Sequence, residues 1–310
     1  MVRLNRDWVS RQDIIAIIPT GKAVGKNDEE GDDNMHKKIA QQVAFPLLLC
    51  AASASATDDA AMAEMARKAQ DPLGNVKAVM TDNTIAFDGG ENSDDTSYGF
   101  QIQPVYAIEN DTSFNMIARA VIPIIGIEPG VALPRLGPNE TTEKDDTWGL
   151  SDSLVQYFFS PKSDGSVKWG VGPQVSLKTR SSDRQAGSGW GAGIAGVIFG
   201  GVGNWALGVI AMQHWGDESD FNLATVQGIA MYNFESIAGA YIGYNNSMTY
   251  NWEAESDDKF TLPLGLTIGR TILLGNGDGL DFNIGAYDLV ERADNSPKWQ
   301  LKLGLSYYFN

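Results

Sequence analysis

The segment that ends the chain alternates strictly between two kinds of position. One face of residues 298–309 carries Trp299, Leu301, Leu303, Leu305, Tyr307 and Phe309, and the other carries Gln300, Lys302, Gly304, Ser306 and Tyr308. A period of two residues predicts a β-strand. An apolar row with aromatic residues at both ends is typical of a bacterial outer-membrane barrel. A half-buried strand of a soluble sandwich alternates in the same way, so this segment alone leaves both folds open.

The same alternation recurs along most of the chain and predicts twelve strands, with ten as the alternative count. They cover residues 76–87, 98–108, 113–125, 148–159, 166–178, 189–199, 203–214, 221–234, 238–250, 259–272, 280–290 and 298–309. An even number agrees with a single-chain bacterial barrel. Residues 148–159 keep no constant phase, which indicates a bulge. The predicted fold class is all-β, a transmembrane antiparallel up-and-down barrel.

A secretory signal peptide is predicted inside the N-terminal region, at residues 35–56. Basic residues follow Met35, an apolar run covers 39–50, and small residues at 54–56 suit a cleavage site. The run is too short to span a bilayer as a helix, and no longer apolar stretch follows it. An exported chain of this kind enters a membrane only as a closed barrel. Residues 1–34 are predicted to be a mis-annotated upstream extension.

Charge and cysteine content narrow the possible partners. The chain has 39 acidic and 23 basic residues, a net charge of −16, which argues against nucleic acid as a partner. The one cysteine, Cys50, lies in the leader, so the mature chain is expected to form no disulfide. Much of the acidic surplus falls in predicted outward loops, at 140–146 and 253–258. We interpret these as solvated loop tips rather than as divalent-cation sites.

A short helix is predicted before the first strand, at residues 58–70. It belongs to an N-terminal helical segment, residues 57–75, that precedes the barrel at 76–310. Met62, Met65, Ala66 and Ala69 share one helical face, and Asp71-Pro72 ends the helix. Two placements follow from this pattern: the helix plugs the lumen, or it lies in the periplasm.

Catalytic chemistry finds little support in the sequence. The mature chain has one histidine, His214, which the pattern places at the outer rim beside Trp215, with no serine two residues away. Outer-membrane phospholipases need a serine and a histidine in hydrogen-bond reach. We therefore interpret His214 as an interface anchor and expect no enzyme. No metal-ligand spacing, phosphate loop or dinucleotide fingerprint is present, so no metal or cofactor is expected.

The faces opposite the apolar rows are expected to line a pore. These positions are Gln101, Gln103, Asn115, Arg119, Lys168, Gln174, Ser176, Lys178, Asp281, Asn283, Gln300 and Lys302. Arg119 and Lys168 are expected to project inward near mid-height and form a cationic constriction that favours anionic solutes. The alternative is that these cations pair with luminal acids and only fill the interior. Tyr307 and Phe309 are the expected assembly signal.

Several short stretches resemble a known family of bacterial outer-membrane proteins, the neuromedin U-like or transporter family, related to the phenol-degradation meta-pathway barrel group. The matching stretches are Asp71-Pro72-Leu73-Gly74, Ile102-Gln103-Pro104-Val105, residues 118–125, Phe158-Phe159-Ser160-Pro161, Trp169-Gly170-Val171-Gly172-Pro173 and residues 251–265. Their order and spacing carry the resemblance. It implies a barrel with a transport role and no particular substrate.

The function expected from these observations is a non-catalytic outer-membrane channel or transporter for small solutes, aromatic or hydrophobic ones among them. The alternative is a structural or adhesive barrel with a blocked lumen, and a phospholipase-like enzyme is a weaker alternative. The expected partners are outer-membrane lipid and lipopolysaccharide, the barrel-assembly machinery and a small-molecule solute. The expected location is the outer membrane of a Gram-negative bacterium.

Overall fold

A computed structural model describes residues 56–127, 147–163, 165–182, 185, 187–218 and 220–309. The predicted upstream extension, the predicted signal peptide up to residue 55 and the acidic stretch 140–146 lie outside the described residues. Everything stated below concerns the described part of the chain.

The described chain forms one helix followed by thirteen strands. The elements are α1 (Ala56–Gln70), β1 (Lys77–Gly89), β2 (Asp95–Ile108), β3 (Phe114–Ile127), β4 (Thr147–Leu150), β5 (Ser153–Pro161), β6 (Val167–Leu177), β7 (Gly191–Val202), β8 (Trp205–Gly216), β9 (Asn222–Asn233), β10 (Ala240–Asn251), β11 (Phe260–Leu273), β12 (Gly279–Glu291) and β13 (Trp299–Phe309). Each predicted strand has a counterpart, with bounds that differ by a few residues.

The sheet closes into a barrel because its first and last strands pair. Strand β1 is antiparallel to both β2 and β13, with Lys77 opposite Phe309 at one end of the closing seam and Phe87 opposite Trp299 at the other. The remaining strands pair with their neighbours in sequence, and β3 pairs with β5. The result is a closed twelve-strand antiparallel barrel with β4 as an extra strand, which confirms the predicted fold class.

The predicted irregularity at residues 148–159 is a break between β4 and β5. Both strands pair with β3, but Val121 lies opposite Leu154 whereas Ile124 lies opposite Leu150. Three steps along β3 therefore match four steps along the facing chain, and the extra residue is that of a β-bulge. The bulge reverses which residues face inward and explains why no single phase fits the whole segment.

The outward faces of the strands form an apolar band between two aromatic girdles, as expected for a barrel that spans a membrane. Exposed aliphatic side chains in the band include Ile194, Ile198, Val209, Leu266, Ile268 and Leu305. Exposed aromatic side chains lie near both ends of the strands, with Trp148, Trp215 and Trp299 at one end and Tyr106, Phe114, Trp205 and Phe309 at the other. The alternation in β13 is confirmed, since Phe309 is 50% exposed and Tyr308 is 3% exposed.

The connections divide the barrel into two ends. At the helix end lie α1, the C-terminus and the connections 109–113, 162–166, 203–204, 234–239 and 274–278. At the loop end lie the connections 90–94, 178–190, 217–221, 252–259 and 292–298, which include the longest described ones, together with the end of β3 and the start of β4. Among the described residues, no helix is both long and apolar enough to cross a membrane.

Candidate functional site in the barrel lumen

Two adjoining cavities occupy the barrel interior. The larger has a volume of about 370 Å³ and reaches from Ala69 at the helix end to Ser188 at the loop end. The smaller, of about 130 Å³, lies toward the loop end. Both are lined by Gln101, Pro123 and Ser247, so these three residues stand where the cavities meet.

One wall of the larger cavity is polar and charged. Strands β13 and β1 contribute Lys302 and Asp82, whose Nζ and Oδ2 atoms are 2.9 Å apart. The Arg119 guanidinium on β3 donates from Nη2 to Gln103 Oε1 at 2.5 Å. The Arg119 Nε has no hydrogen-bond partner among the described residues. Gln103 donates in turn to Gln101 Oε1 at 2.9 Å.

The facing wall is apolar. It is formed by Val197 on β7, Ile210 on β8, and Ile229 and Met231 on β9, all of which are buried and line the cavity. These strands are diametrically opposite β13, β1 and β2, because β13 to β7, β1 to β8 and β2 to β9 are each six steps apart around a ring of twelve, whereas β3 with Arg119 is opposite β10. The lumen is therefore two-sided, with one wall that suits charge and one that suits hydrocarbon.

Asp281 belongs to the larger cavity but is already saturated with hydrogen bonds. It accepts from the Tyr241 hydroxyl at 3.0 Å to each oxygen, from Thr271 Oγ1 at 2.8 Å and from Asn283 Nδ2 at 3.2 Å. Four hydrogen bonds from three donor residues around one buried carboxylate compensate for its lost hydration. We interpret Asp281 as a fixed part of the wall.

His214 lies near the loop end of β8, as predicted, but it is not an interface anchor at the lipid surface. It is 7% exposed, faces the lumen and contacts Ser176 and Gln174 on β6, with Nε2 at 3.0 Å from Ser176 Oγ and Nδ1 at 3.2 Å from Gln174 Nε2. These residues meet across the intervening strand β7, because Gly191 and Gly193 leave the space open. A Cβ on Gly191 would lie 2.6 Å from Ser176 Oγ and 2.7 Å from His214 Nε2. No local sequence motif signals a contact between β6 and β8.

The hydrogen bonds around His214 run in one direction. Gln156 donates to Gln174 Oε1, Gln174 Nε2 faces His214 Nδ1, and Ser176 donates to the carbonyl oxygen of Gly189 at 2.9 Å. With the glutamine donating, Nδ1 accepts and Nε2 carries the proton, a tautomer assigned from this network. His214 then donates to Ser176, whereas a general base has to accept the serine proton. His214 and Ser176 thus form a structural hydrogen bond and not a catalytic base and nucleophile.

The helix α1 and the residues after it pack into the helix end of the barrel. Met62 and Ala66 are buried, and Leu73 is 1% exposed. A Cβ on Gly170 of β6 would lie 2.8 Å from Leu73 Cδ2, so the glycine makes room for the leucine. The predicted apolar face of the helix is confirmed in this packing.

Hydrogen bonds add to the attachment of α1. The side chains of Gln70 and Asn233 exchange two hydrogen bonds, of 2.9 and 3.0 Å. The Tyr308 hydroxyl donates to the carbonyl oxygen of Ala69 at 3.1 Å. Because the last four carbonyls of a helix have no partner within it, Tyr308 supplies one that the helix lacks.

An ionic network orders the loop end. Arg180 Nη2 lies 3.0 Å from both Asp152 Oδ2 and Glu218 Oε2, and Lys178 Nζ lies 3.0 Å from the same Glu218 oxygen. Asp152 also accepts from the backbone N–H of Gly189 at 2.7 Å. The Lys178 hydrogen bond and the nearby charge of Arg180 lower the pKa of the Glu218 carboxyl below its ordinary value.

Most residues expected to line a pore do line the cavities. The larger cavity is lined by Gln101, Gln103, Arg119, Gln174, Ser176, Asp281, Asn283 and Lys302, and the smaller by Gln101 and Gln300. Asn115 shares the inward parity of Ile117 and Arg119 on β3 but lines neither cavity. The role of the lining residues in solute passage stays a prediction, as does the role of Tyr307 and Phe309 in assembly.

Two of the expected lysines are elsewhere. Lys168 faces inward, but at the helix end, where its Nζ lies 2.5 Å from Asp71 Oδ2, so the expectation of a mid-height constriction with Arg119 is wrong. Lys178 follows the last residue of β6 and pairs with Glu218 outside the cavities. Sequence reasoning overlooked Asp82, although its position in the polar phase of β1 was a usable signal.

Comparison with known proteins finds similarity in structure only. No protein family model matches the chain, and no curated protein matches it. Among solved structures, the chain is similar to the COG4313 outer membrane channel from Pseudomonas putida F1, with a TM-score of 0.55 and 13% identity over 77% of this chain and 98% of that one. At such low identity the likeness supports the barrel fold, and the neuromedin U-like family stays a resemblance.

Two further structures are more distant. Outer membrane phospholipase A from Escherichia coli matches with a TM-score of 0.40 and 12% identity, over 76% of this chain and 96% of that one. OccK11 (OpdR) from Pseudomonas aeruginosa matches with a TM-score of 0.33 and 11% identity, over 75% and 95%. These values are too low to carry an argument about function.

Proposed function

We propose that the protein is a non-catalytic outer-membrane channel for small solutes, aromatic or hydrophobic ones among them. The observation that carries this proposal is the pair of adjoining cavities inside a closed barrel, lined on one side by apolar residues and on the other by polar ones. Closed barrels with an apolar outer band occur in outer membranes. The similar barrel of the Pseudomonas putida channel supports the same class.

The hydrogen bonds of His214 support the absence of catalysis. Ser176 already donates to the Gly189 carbonyl and accepts a hydrogen bond from His214, so it is not activated as a nucleophile. A hydrolase would also need a donor pair for the oxyanion. The backbone N–H groups of Gly189 and Trp190 donate to Asp152 and Asp217.

A barrel with a blocked lumen is the second candidate. It is favoured by residues 69–72, which line the larger cavity from the helix end, and by the buried Leu73. If this segment stays in place, the barrel has a structural or adhesive role. If it moves, the segment acts as a plug.

Export and partners complete the proposal. The signal peptide at 35–56 would direct the chain to the periplasm of a Gram-negative bacterium. The barrel-assembly machinery would insert it, and outer-membrane lipid and lipopolysaccharide would surround the apolar band. These partners follow from the proposed location.

Conductance in planar bilayers tests the proposal. We expect the mature protein to conduct, and deletion of residues 58–70 to raise the conductance because the helix end opens. Lys178→Gln, outside the cavities, serves as the control with unchanged conductance. Absence of conductance and of solute uptake by proteoliposomes with both the full barrel and the deletion variant would overturn the channel and leave the structural role.

A further inference from the structure

We infer that the larger cavity binds small amphipathic monocarboxylates, with the carboxylate at Arg119 and the apolar body against the apolar side chains of β7, β8 and β9. This inference rests on the proposed channel function and names the solute class. It follows from the pairing of luminal charges, from the two-sided lining and from the size of the cavity.

Most charges that line the cavity are held in ion pairs. Of its four carboxylates, Asp71 pairs with Lys168, Asp82 with Lys302 and Asp152 with Arg180, at 2.5 to 3.0 Å, while Asp281 accepts four hydrogen bonds from three neutral residues. Among the described lining residues, Arg119 is the cation with no carboxylate in ion-pair contact, although the charge of Asp82 acts on it from farther away. A cation in this state is an unused site for an anion.

The guanidinium of Arg119 retains donors for a ligand. A guanidinium has five N–H donors in a planar fork, which matches the two oxygens of a carboxylate. One of its nitrogens, Nη2, donates to Gln103, the buried Nε has no partner among the described residues, and the half-buried side chain lines the cavity. The neutral Gln103 thus holds the guanidinium in position without neutralising it.

The apolar wall supplies the second half of the site. Val197, Ile210, Ile229 and Met231 line the same cavity, on strands three to five steps around the ring from Arg119 on β3. A solute with one charged end and one hydrocarbon end satisfies both walls at once. A neutral apolar solute leaves Arg119 unpaired, and a small hydrophilic anion leaves the apolar wall uncovered.

Size and charge restrict the class further. A cavity of about 370 Å³ lies near the lower end of the range of about 300 to 1,000 Å³ for small-molecule sites, so a single ring or a short chain fits. A second carboxylate on the solute would approach Asp82 or Asp281, and like charges disfavour that position. Monoanions are therefore preferred over dianions.

Isothermal titration calorimetry of the folded mature protein in detergent tests this inference with benzoate as the probe. Benzyl alcohol has the ring but lacks the carboxylate, and acetate has the carboxylate but lacks the ring. We expect benzoate to bind at least about tenfold more tightly than either of them, because each loses a charge-assisted or an apolar contact. Arg119→Gln should weaken benzoate binding by about tenfold or more. Lys178→Gln, at the loop end, should leave it unchanged.

A second variant, which keeps Arg119, tests the same site if Arg119→Gln misfolds. Gln103→Glu keeps Arg119 and places a carboxylate where the amide oxygen now lies, so it should occupy the guanidinium and weaken benzoate binding by a similar factor. Ile210→Ala should weaken benzoate more than acetate. Equal affinity for benzoate and benzyl alcohol, or benzoate binding that neither variant changes, would overturn the inference.

The outcome separates this inference from the proposed channel. Arg119-dependent binding without flux in proteoliposomes would support the site and contradict the channel. Flux of neutral solutes without benzoate binding would support the channel and contradict the site.

Discussion

The two ends of the barrel are closed by different physical means. At the helix end, Leu73 and the apolar face of α1 pack against glycines of the wall, and neutral hydrogen bonds such as that of Tyr308 complete the contact. At the loop end, the Asp152, Arg180 and Glu218 network holds the connection 178–190. The first contact depends on apolar burial and the second on charge.

This difference predicts how each end responds to conditions. Apolar packing changes little with ionic strength, whereas partly exposed ion pairs weaken as salt screens them. If the channel opens at one end only, it opens at the end whose attachment requires less free energy to release. One ion pair, between Lys168 and Asp71, joins the segment after α1 to the barrel wall, and the other described ion pairs at this end, Lys77–Glu109 and Lys68–Glu64, are exposed.

The largest expected effect comes from Arg180→Ala at the loop end. Asp152 would keep a buried carboxylate without its cation, and removal of one partner of a buried pair costs about 3 to 5 kcal/mol. Urea unfolding of the folded protein in detergent micelles should show this loss of stability. Lys178→Gln removes an exposed cation from the same network and should cost far less. Equal losses would show that the network carries no buried pair.

Leu73→Ala tests the helix end with the next largest effect. Truncation of a buried leucine costs about 2 to 5 kcal/mol. Because Leu73 lies between the N-terminal segment and β6, the loss should appear as faster hydrogen exchange in α1, with the strands unchanged. Arg67→Ala, on the exposed side of the same helix, is the control. Faster exchange throughout the barrel would contradict a local attachment.

Tyr308→Phe removes one hydrogen bond from the helix end and leaves the ring in place. We expect a loss of about 1 kcal/mol in the attachment of α1, independent of salt. Single-channel recordings should show more frequent open events. Tyr307→Phe removes the neighbouring hydroxyl, which bonds to Asp278 and not to α1, and should leave the recordings unchanged.

The smallest effect concerns pH at the loop end. The pKa of Glu218 is lowered in the folded state, so its contribution to stability is present above the ordinary carboxyl pKa and is lost as pH falls through the lowered value. Glu218→Gln should remove this part of the acid dependence of unfolding. The attachment of α1 through Tyr308 and Leu73 should not follow it. An unchanged acid profile would show that the ion pairs contribute nothing measurable.

The sequence pattern predicted which face of a strand a residue occupies, but it did not predict which residues contact each other. Alternation located all twelve strands and their inward positions, and even the irregular phase at 148–159 marked the bulge before β5. It misplaced Lys168 in height and assigned His214 to the lipid interface, whereas His214 is buried and contacts Ser176. A period of two residues does not report the level of a residue in the barrel or its neighbours across the lumen.

The sequence by itself determined the fold class, the closed topology and the polar and apolar faces of each strand, because side-chain direction alternates in every β-strand. Only the tertiary structure decided which charges meet. Strand register brings Lys302 to Asp82, and the glycines of β7 let His214 reach Ser176 over an intervening strand. Strand register also leaves Arg119 in contact with Gln103 and without a carboxylate in ion-pair contact. Such contacts depend on register and closure, which link residues far apart in the chain.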